Sequence, residues 1–462
     1  MTTASKVSRR GRLLLAATVV ALTVAACHNS ITDTMLNVSE PNIIDPANVN
    51  NADGANALKI GALARFRNMT GGTESSWLFG GLLADEWTTS STFVQNDETD
   101  ERAIQLNNAS VTTQFRTINQ VRTAANQAIA ALRKYRPTAS SDIAEMYLAR
   151  AFAEMQLAQD FCNGIPLSDA SVTPVVYGTP LTDDAVFKRA QASYDSAMAL
   201  TNGLTDATSV LINRAAKVGK ARAMLGTNDI AAAAALVAGI PTSFSYDHTF
   251  LTSSGDNILW NQPFSSRRYN VGDTLVKTSA GSFTVKPSIP FGSAKDPRLP
   301  VSNSPAGTKS QDGSVISFTT TLWAQSTTVP VINGIDARMV EAEAALRAND
   351  GATLLSILNA LRAAPPKLGE VQPTVMPPLV DPGTAAARTD LLFWEKAFWT
   401  FSRGQRLSDM RRLERQYNRA DNTVFPTGTH YRGVPYGTDT NLPVPQDETN
   451  NPNFTGCIDR KP

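Results

Sequence analysis

The residues of this 462-residue chain that could do chemistry are few and scattered. Its three histidines, His28, His248 and His430, stand far apart, with no HExxH pair and no clustered zinc ligands. No Walker-type phosphate loop and no GxSxG elbow occurs. Asp85 and Glu86 have the residue types of a glycosidase pair, whose carboxyl groups sit about 5 to 9.5 Å apart. Sequence neighbours are not assigned that separation, and 41 acidic residues make adjacent pairs inevitable. The residues therefore predict no catalytic group, no metal centre, no cofactor and no enzyme. Three cysteines remain, Cys27, Cys162 and Cys457.

Cys27 has a distinctive setting. Lys6, Arg9, Arg10 and Arg12 form a cationic start, and Leu13 to Ala26 follow without a charge. That run is too short for a membrane-spanning helix, which needs about 20 apolar residues. It has the pattern of a secretory signal peptide. The ending Val24-Ala25-Ala26-Cys27 resembles the bacterial lipobox, in which the cysteine thiol carries the lipid and becomes the new N-terminus. Residues 1–26 are thus expected to be removed, leaving residues 27–46 as a polar, lipid-anchored tether. Two acyl anchors suffice for stable membrane attachment. In an oxidising compartment Cys162 and Cys457 can pair, or both remain as buried free thiols. A bridge would tie the C-terminal tail to the helical body.

Charge and proline placement describe what must position these groups. The whole chain carries 42 basic and 41 acidic residues; loss of the four basic residues of the leader leaves 38 against 41, a net −3. A mildly acidic body excludes nucleic-acid binding driven by phosphate attraction. The 26 prolines avoid 47–136, 181–240, 331–364 and 383–425, and concentrate in 241–330, 365–382 and 426–462. Since proline breaks helix interiors, this separates helical zones from irregular ones.

Apolar periodicity fills the helical zones. Phe115, Ile118, Val121, Ala125, Ala128 and Leu132 predict a helix over 111–135, stopped by Pro137. Ser140 or Ser141 is placed to cap the next, over 142–161. Further helices are predicted over 184–202, 208–225, 229–238, 335–348 and 352–363. Short connections make these antiparallel hairpins. The fold class is mostly all-α: a tetratricopeptide-like scaffold of helical hairpins, with long irregular insertions containing a few short β-strands. Strand-like runs in the insert are Asn257 to Trp260 and Val315 to Phe318. Near the end, Leu391, Trp394, Phe398 and Phe401 form a core stripe, and Arg406 and Asp409 can pair at i, i+3. Arg403, Arg411, Arg412, Arg415 and Arg419 cluster beside them and read as a solvated helix face pairing with local acids.

Five segments in order behind the lipobox resemble the SusD/RagB family of outer-membrane nutrient-binding lipoproteins. They are Ala149 to Ala153 running into Phe161 to Leu167, then Lys295 to Leu299, Asp336 to Ala344, Trp394 to Arg412, and Asn441 to Asn453. Ser402 stands where the family usually has Glu, and Leu407 where it often has Trp. The acidic tract that follows the lipid cysteine in many surface-exported members is replaced by His28-Asn29-Ser30. Glu395, Arg406, Asp409 and the Asp296-Pro297-Arg298 turn read as structural ion pairs, not ligand contacts. Residues 47–462 would form one SusD-like domain with an insert at about 241–330 and a tail at about 426–462.

The resemblance implies a binding protein: an outer-membrane lipoprotein, at the cell surface in preference to the periplasmic face. It would take a nutrient oligomer, foremost an oligosaccharide, and pass it to a SusC-like TonB-dependent transporter. Sugar C–H faces stack on aromatic rings, while Asn, Gln and acids bond the hydroxyls. Trp77, Trp87, Trp260 and Trp323, in or beside irregular segments, are the candidate ligand-binding residues, with Tyr269; a packed core position is the plainer reading of each. The rival function is a lipid-anchored, helical-repeat protein–protein adaptor of the cell envelope, without a sugar-sized pocket.

Overall fold

The computed structural model describes residues 50–73, 75–253 and 255–462. The expected signal peptide, the tether and Cys27 lie outside the described residues. The helices α1 (Ala52–Gly71), α2 (Ser76–Leu83) and α3 (Val94–Asp100) precede the first predicted hairpin. That hairpin is α4 (Ala109–Tyr135) with α5 (Ser140–Asp160), followed by α6 (Asp183–Thr201) with α7 (Ala207–Gly226), and then α8 (Ile230–Val237). The third pair is α10 (Gly334–Arg347) with α11 (Gly351–Ala363), and α12 (Ala385–Trp399) and α13 (Arg406–Tyr417) complete the helices. The class is mostly α, as the periodicity predicts, and the predicted helices fall within a few residues of those observed. Ser140 and Ser141 do not cap α5: Ala139 holds the cap position without a side-chain bond.

Consecutive helices α4, α5, α6 and α7 pack against one another, and α10 packs on α7 and α8. Close approach is built into α7. A side chain at Gly219 would meet the Tyr194 ring at 2.5 Å, and one at Gly226 would meet Phe187 at 2.5 Å. Tyr194 and Phe187 are seven residues apart on α6, as the two glycines are on α7, so each ring fills one gap of its neighbour.

Helix α13 binds these layers by buried charge. Arg406 pairs with Asp85, Arg411 with Asp183, and Arg412 with both Glu343 and Asp409; Lys396 pairs with Asp409, and Arg403, just before the helix, with Asp336. Two expectations change here. Arg403, Arg411 and Arg412 do pair with acids, but they are buried and not on a solvated face. Arg406 and Asp409 each find a partner on another element, since a helix wedged between others meets opposite charges on every side. The stripe on α12 also shifts: Leu392, Phe393, Ala397, Phe398 and Trp399 are buried, while Trp394 is 37% exposed. The predicted turn pair is present, with Arg298 bridging Asp296 and Glu395.

The irregular segments are held by small antiparallel ladders. Strand β1 (Trp87–Thr89) pairs with β5 (Tyr269–Val271), β2 (Ile165–Pro166) with β3 (Pro180–Leu181), and β4 (Ser245–His248) with β10 (Val329–Asn333). The ladders β6 (Leu275–Lys277) with β7 (Ser282–Thr284) and β8 (Val301–Ser302) with β9 (Thr319–Thr320) complete the set. Residues 257–260 are not a strand. The Asn257 side chain accepts from Leu259 N and starts a helical turn, α9 (Ile258–Trp260), which continues as a π-helical turn over Asn261–Ser265. Val315 and Ile316 make only isolated bridges.

The tail returns to the end of α5. Cys162 N donates to Leu442 O and Leu442 N to Asp160 O, and a disulfide joins Cys162 to Cys457 with Cα atoms 6.0 Å apart. Among the described residues no helix is long and apolar enough to cross a membrane.

Candidate functional site

A cleft of about 200 Å³ opens where α2, α3, the start of α4 and the α9 segment meet. Leu78 and Phe79 of α2 contribute apolar surface, and Ser110, Thr113 and Gln114 of α4 contribute polar atoms. Phe93 and Asn96 come from the start of α3, and Ile258, Gln262, Arg268 and Tyr269 from the insert.

The β1–β5 pair fixes the two loops that carry most of these groups. Thr89 pairs with Tyr269, Ser90 N donates to Arg268 O (3.0 Å), and Ser90 Oγ donates to Arg267 O (3.0 Å). Arg267 holds a left-handed φ of +54°, a conformation that costs a non-glycine residue energy and here reverses the chain just before Arg268. The Arg268 guanidinium then lies 4.3 Å from the centre of the Phe93 ring. Arg268 is the one charged side chain among the described residues lining the cleft.

Two further rings stand at the end of α9 and on the π-helical turn that follows it. Trp260 and Phe264 stack at 6.1 Å with an interplanar angle of 25°, on either side of the cleft residue Gln262. A π turn widens a helix locally and recurs at functional sites. Phe264 and Phe93 are each 46% exposed, unusual for phenylalanine. Inside the cleft, Gln114 Oε1 is buried and has no hydrogen-bond partner. An unmet buried acceptor is costly in an empty site and is satisfied by a hydroxyl or amide donor on a ligand.

The five candidate residues separate into three roles. Tyr269 lines the cleft, 7% exposed, with burial raising its hydroxyl pKa and a hydrogen bond to Asn96 opposing that shift. Trp260 is half-buried on the adjacent turn. Trp77, Trp87 and Trp323 are 0%, 1% and 4% exposed and belong to the core, so no ligand can stack on them in this structure. Trp77 Nε1 donates to Gln156 and Trp323 Nε1 to Ser402 Oγ. Trp87 meets Tyr269 edge-on at 6.4 Å and thereby backs the cleft wall. Proximity to irregular chain does not expose these three, because the irregular segments themselves fold over a core.

Phe93, Gln114 and Arg268 are cleft residues that sequence reasoning missed, and Phe264, on the π turn that carries the cleft residue Gln262, was missed as well. Gln114 alone carried a usable signal, a polar residue directly preceding the apolar stripe of a predicted helix. The acid pair is structural. Asp85 accepts from Arg406 and from Ile289 N, and Glu86 Oε1 accepts from Ser402 N at 2.9 Å. Burial pushes Glu86 up to about 8, Ser402 N opposing. Among the described residues no group of His, Cys, Asp or Glu is arranged to hold a metal ion.

No protein-family model and no curated protein matches the chain. Solved structures do. A SusD-like carbohydrate binding protein from Bacteroides fragilis aligns at a TM-score of 0.63 and 15% identity, over 88% of this chain and 99% of that one. A SusD superfamily protein from the same organism gives 0.60 and 16%, over 88% and 99%. A SusD homolog from Bacteroides thetaiotaomicron gives 0.59 and 13%, over 88% and 97%. Identities this low speak for the fold, and coverage of nearly whole chains on both sides makes it the complete fold: the protein has the fold of the SusD superfamily.

Proposed function

We propose that the protein binds a carbohydrate oligomer in the aromatic cleft, is anchored to the outer membrane through a lipid on Cys27, and delivers its ligand to a TonB-dependent transporter. The reading rests chiefly on the exposed Phe93 ring of a polar cleft with an unmet acceptor, Gln114 Oε1, and on the stacked pair of half-buried Trp260 and exposed Phe264 that flanks the cleft residue Gln262 in sequence. Apolar sugar faces pack on such rings, and sugar hydroxyls donate to such acceptors. Solved proteins of this fold described as carbohydrate binding, among them those from Bacteroides vulgatus and Bacteroides fragilis, support the ligand class. The lipobox-like leader supports the anchor.

The protein acts by binding and not by catalysis in this reading: the Asp85–Glu86 pair is occupied by Arg406 and Ser402. Its test is a screen of oligosaccharides by calorimetry with the wild type and with Trp260→Ala. Saturable binding of one class, weakened by the substitution, is expected. Absence of any oligosaccharide binding, together with co-purification of soluble protein partners alone, would replace it with the adaptor function.

A further inference from the structure

A second cleft, of about 290 Å³, lies on the helical scaffold between α4, α5, α6 and the turn at 167–169. Its lining is arginine-rich: Arg122 of α4, Arg150 of α5 and Arg189 of α6 face two carboxylates, Glu154 and Asp169. Both carboxylates are already engaged. Glu154 Oε2 accepts from Ser193 Oγ at 2.7 Å, and Asp169 Oδ1 accepts from Ser171 N and Oγ at 2.9 and 2.5 Å.

The three guanidiniums are unequally served. Arg150 donates to Ser193 Oγ (3.1 Å) and Asn126 Oδ1 (3.0 Å) and lies over the Tyr147 ring. Arg122 is 6% exposed; its Nη1 donates to Asn119 Oδ1 and Ser168 O. Its Nε is buried without a hydrogen bond, 3.7 Å from Glu154 Oε1. Arg189 is exposed and makes no hydrogen bond or ion pair among the described residues. Burial, and then the like charges of Arg150 and Arg189, lower the Arg122 pKa against the pull of Glu154. A buried donor without an acceptor and an uncompensated positive charge have one remedy in common, a negatively charged acceptor.

We propose that this cleft is an oxyanion-binding site, taking a carboxylate or sulfate group between Arg122, Arg150 and Arg189. The planar guanidinium fork matches both groups. The site shares no lining residue with the aromatic cleft.

The test is calorimetric titration of the intact soluble protein (residues 28–462) with sodium sulfate and, separately, with sodium glucuronate, at constant ionic strength. Saturable binding with a Kd of about 1–10 mM is expected for at least one of them, and the two arms identify which anion is preferred. Arg189→Ala should weaken it at least about tenfold with no change in thermal midpoint, because the side chain has no partner to lose. Arg150→Ala should also weaken it, with some loss in thermal midpoint because its bonds to Ser193 and Asn126 go too, and Lys134→Ala, a remote exposed cation, should not weaken it. No saturable binding of either anion, or equal weakening by Lys134→Ala, would overturn the proposal. Neutral-oligosaccharide binding at the aromatic cleft is unaffected by either result.

Discussion

Arg406 Nε and Nη2 lie 2.6 and 2.9 Å from the two oxygens of Asp85, a fully buried fork-to-fork pair across 321 residues of chain. It fastens α13 to the end of α2, one wall of the aromatic cleft. Asp85→Asn should therefore destabilise the protein by about 3–5 kcal/mol, since it leaves Arg406 charged and unpaired in the core. Urea denaturation of the two proteins checks this. A loss below about 1 kcal/mol would mean that the pair is not buried as described.

The adjacent Glu86 carries the opposite tendency. Its folded pKa of about 8 is raised from 4.5, first by burial and then by the neighbouring Asp85 charge, against Ser402 N and Arg406. A raised carboxyl pKa means that the folded state holds the proton more tightly than the unfolded one. The associated stability is full below about pH 4.5 and is lost as pH rises through about 8. Glu86→Gln imitates the protonated acid, so its stability should fall less than that of the wild type between pH 6 and 9. Thermal midpoints across that range are the measurement, and parallel curves for the two proteins would refute the assignment.

The tail should depend on its disulfide. The bond joins residues 295 apart, and removing it by Cys457→Ser should cost about 2–5 kcal/mol. Mass spectrometry of the unreduced soluble protein should find neither Cys162 nor Cys457 open to alkylation. Two alkylated cysteines without reductant would contradict the bond.

Binding and stability should separate between the tryptophans. Trp260→Ala and Phe264→Ala should each weaken an oligosaccharide ligand about 3- to 10-fold and leave the fold stable, because the lost contact is one face of stacking. Trp77→Phe should leave that affinity unchanged and lower stability, because Trp77 is enclosed and its Nε1 bonds Gln156. Isothermal titration alongside chemical denaturation distinguishes the two patterns.

Membrane attachment should follow Cys27. Cys27→Ser in the full chain should move the protein from the membrane fraction to the soluble one on cell fractionation, since acyl chains are the proposed anchor. Retention in the membrane fraction would count against lipidation.

Much of the scaffold was legible because its cause is local. A 3.6-residue apolar period needs no knowledge of distant chain, and the hairpins over 109–160, 183–226 and 334–363 follow from it together with the positions of proline. The same locality explains where the reading stopped. Whether an arginine is solvated or buried depends on what packs over it, so Arg411 and Arg412 could be matched with acids in kind but not with Asp183 and Glu343 in particular. Asn257 to Trp260 reads as a strand by composition, but the Asn257 side chain accepts from Leu259 N and caps a helical turn there.

The cleft belongs wholly to tertiary structure. The sequence by itself determined that aromatic and amide side chains were available, that the chain would build helical hairpins, and that no catalytic motif was present. It could not rank six tryptophans, because exposure is a property of the whole packed surface. Strand pairing between Thr89 and Tyr269, the left-handed turn at Arg267 and the π turn at 261–265 left Phe93 and Phe264 exposed and Trp260 half-buried beside Phe264. The same packing enclosed Trp77, Trp87 and Trp323, because burial of large rings is the strongest apolar contribution each can make.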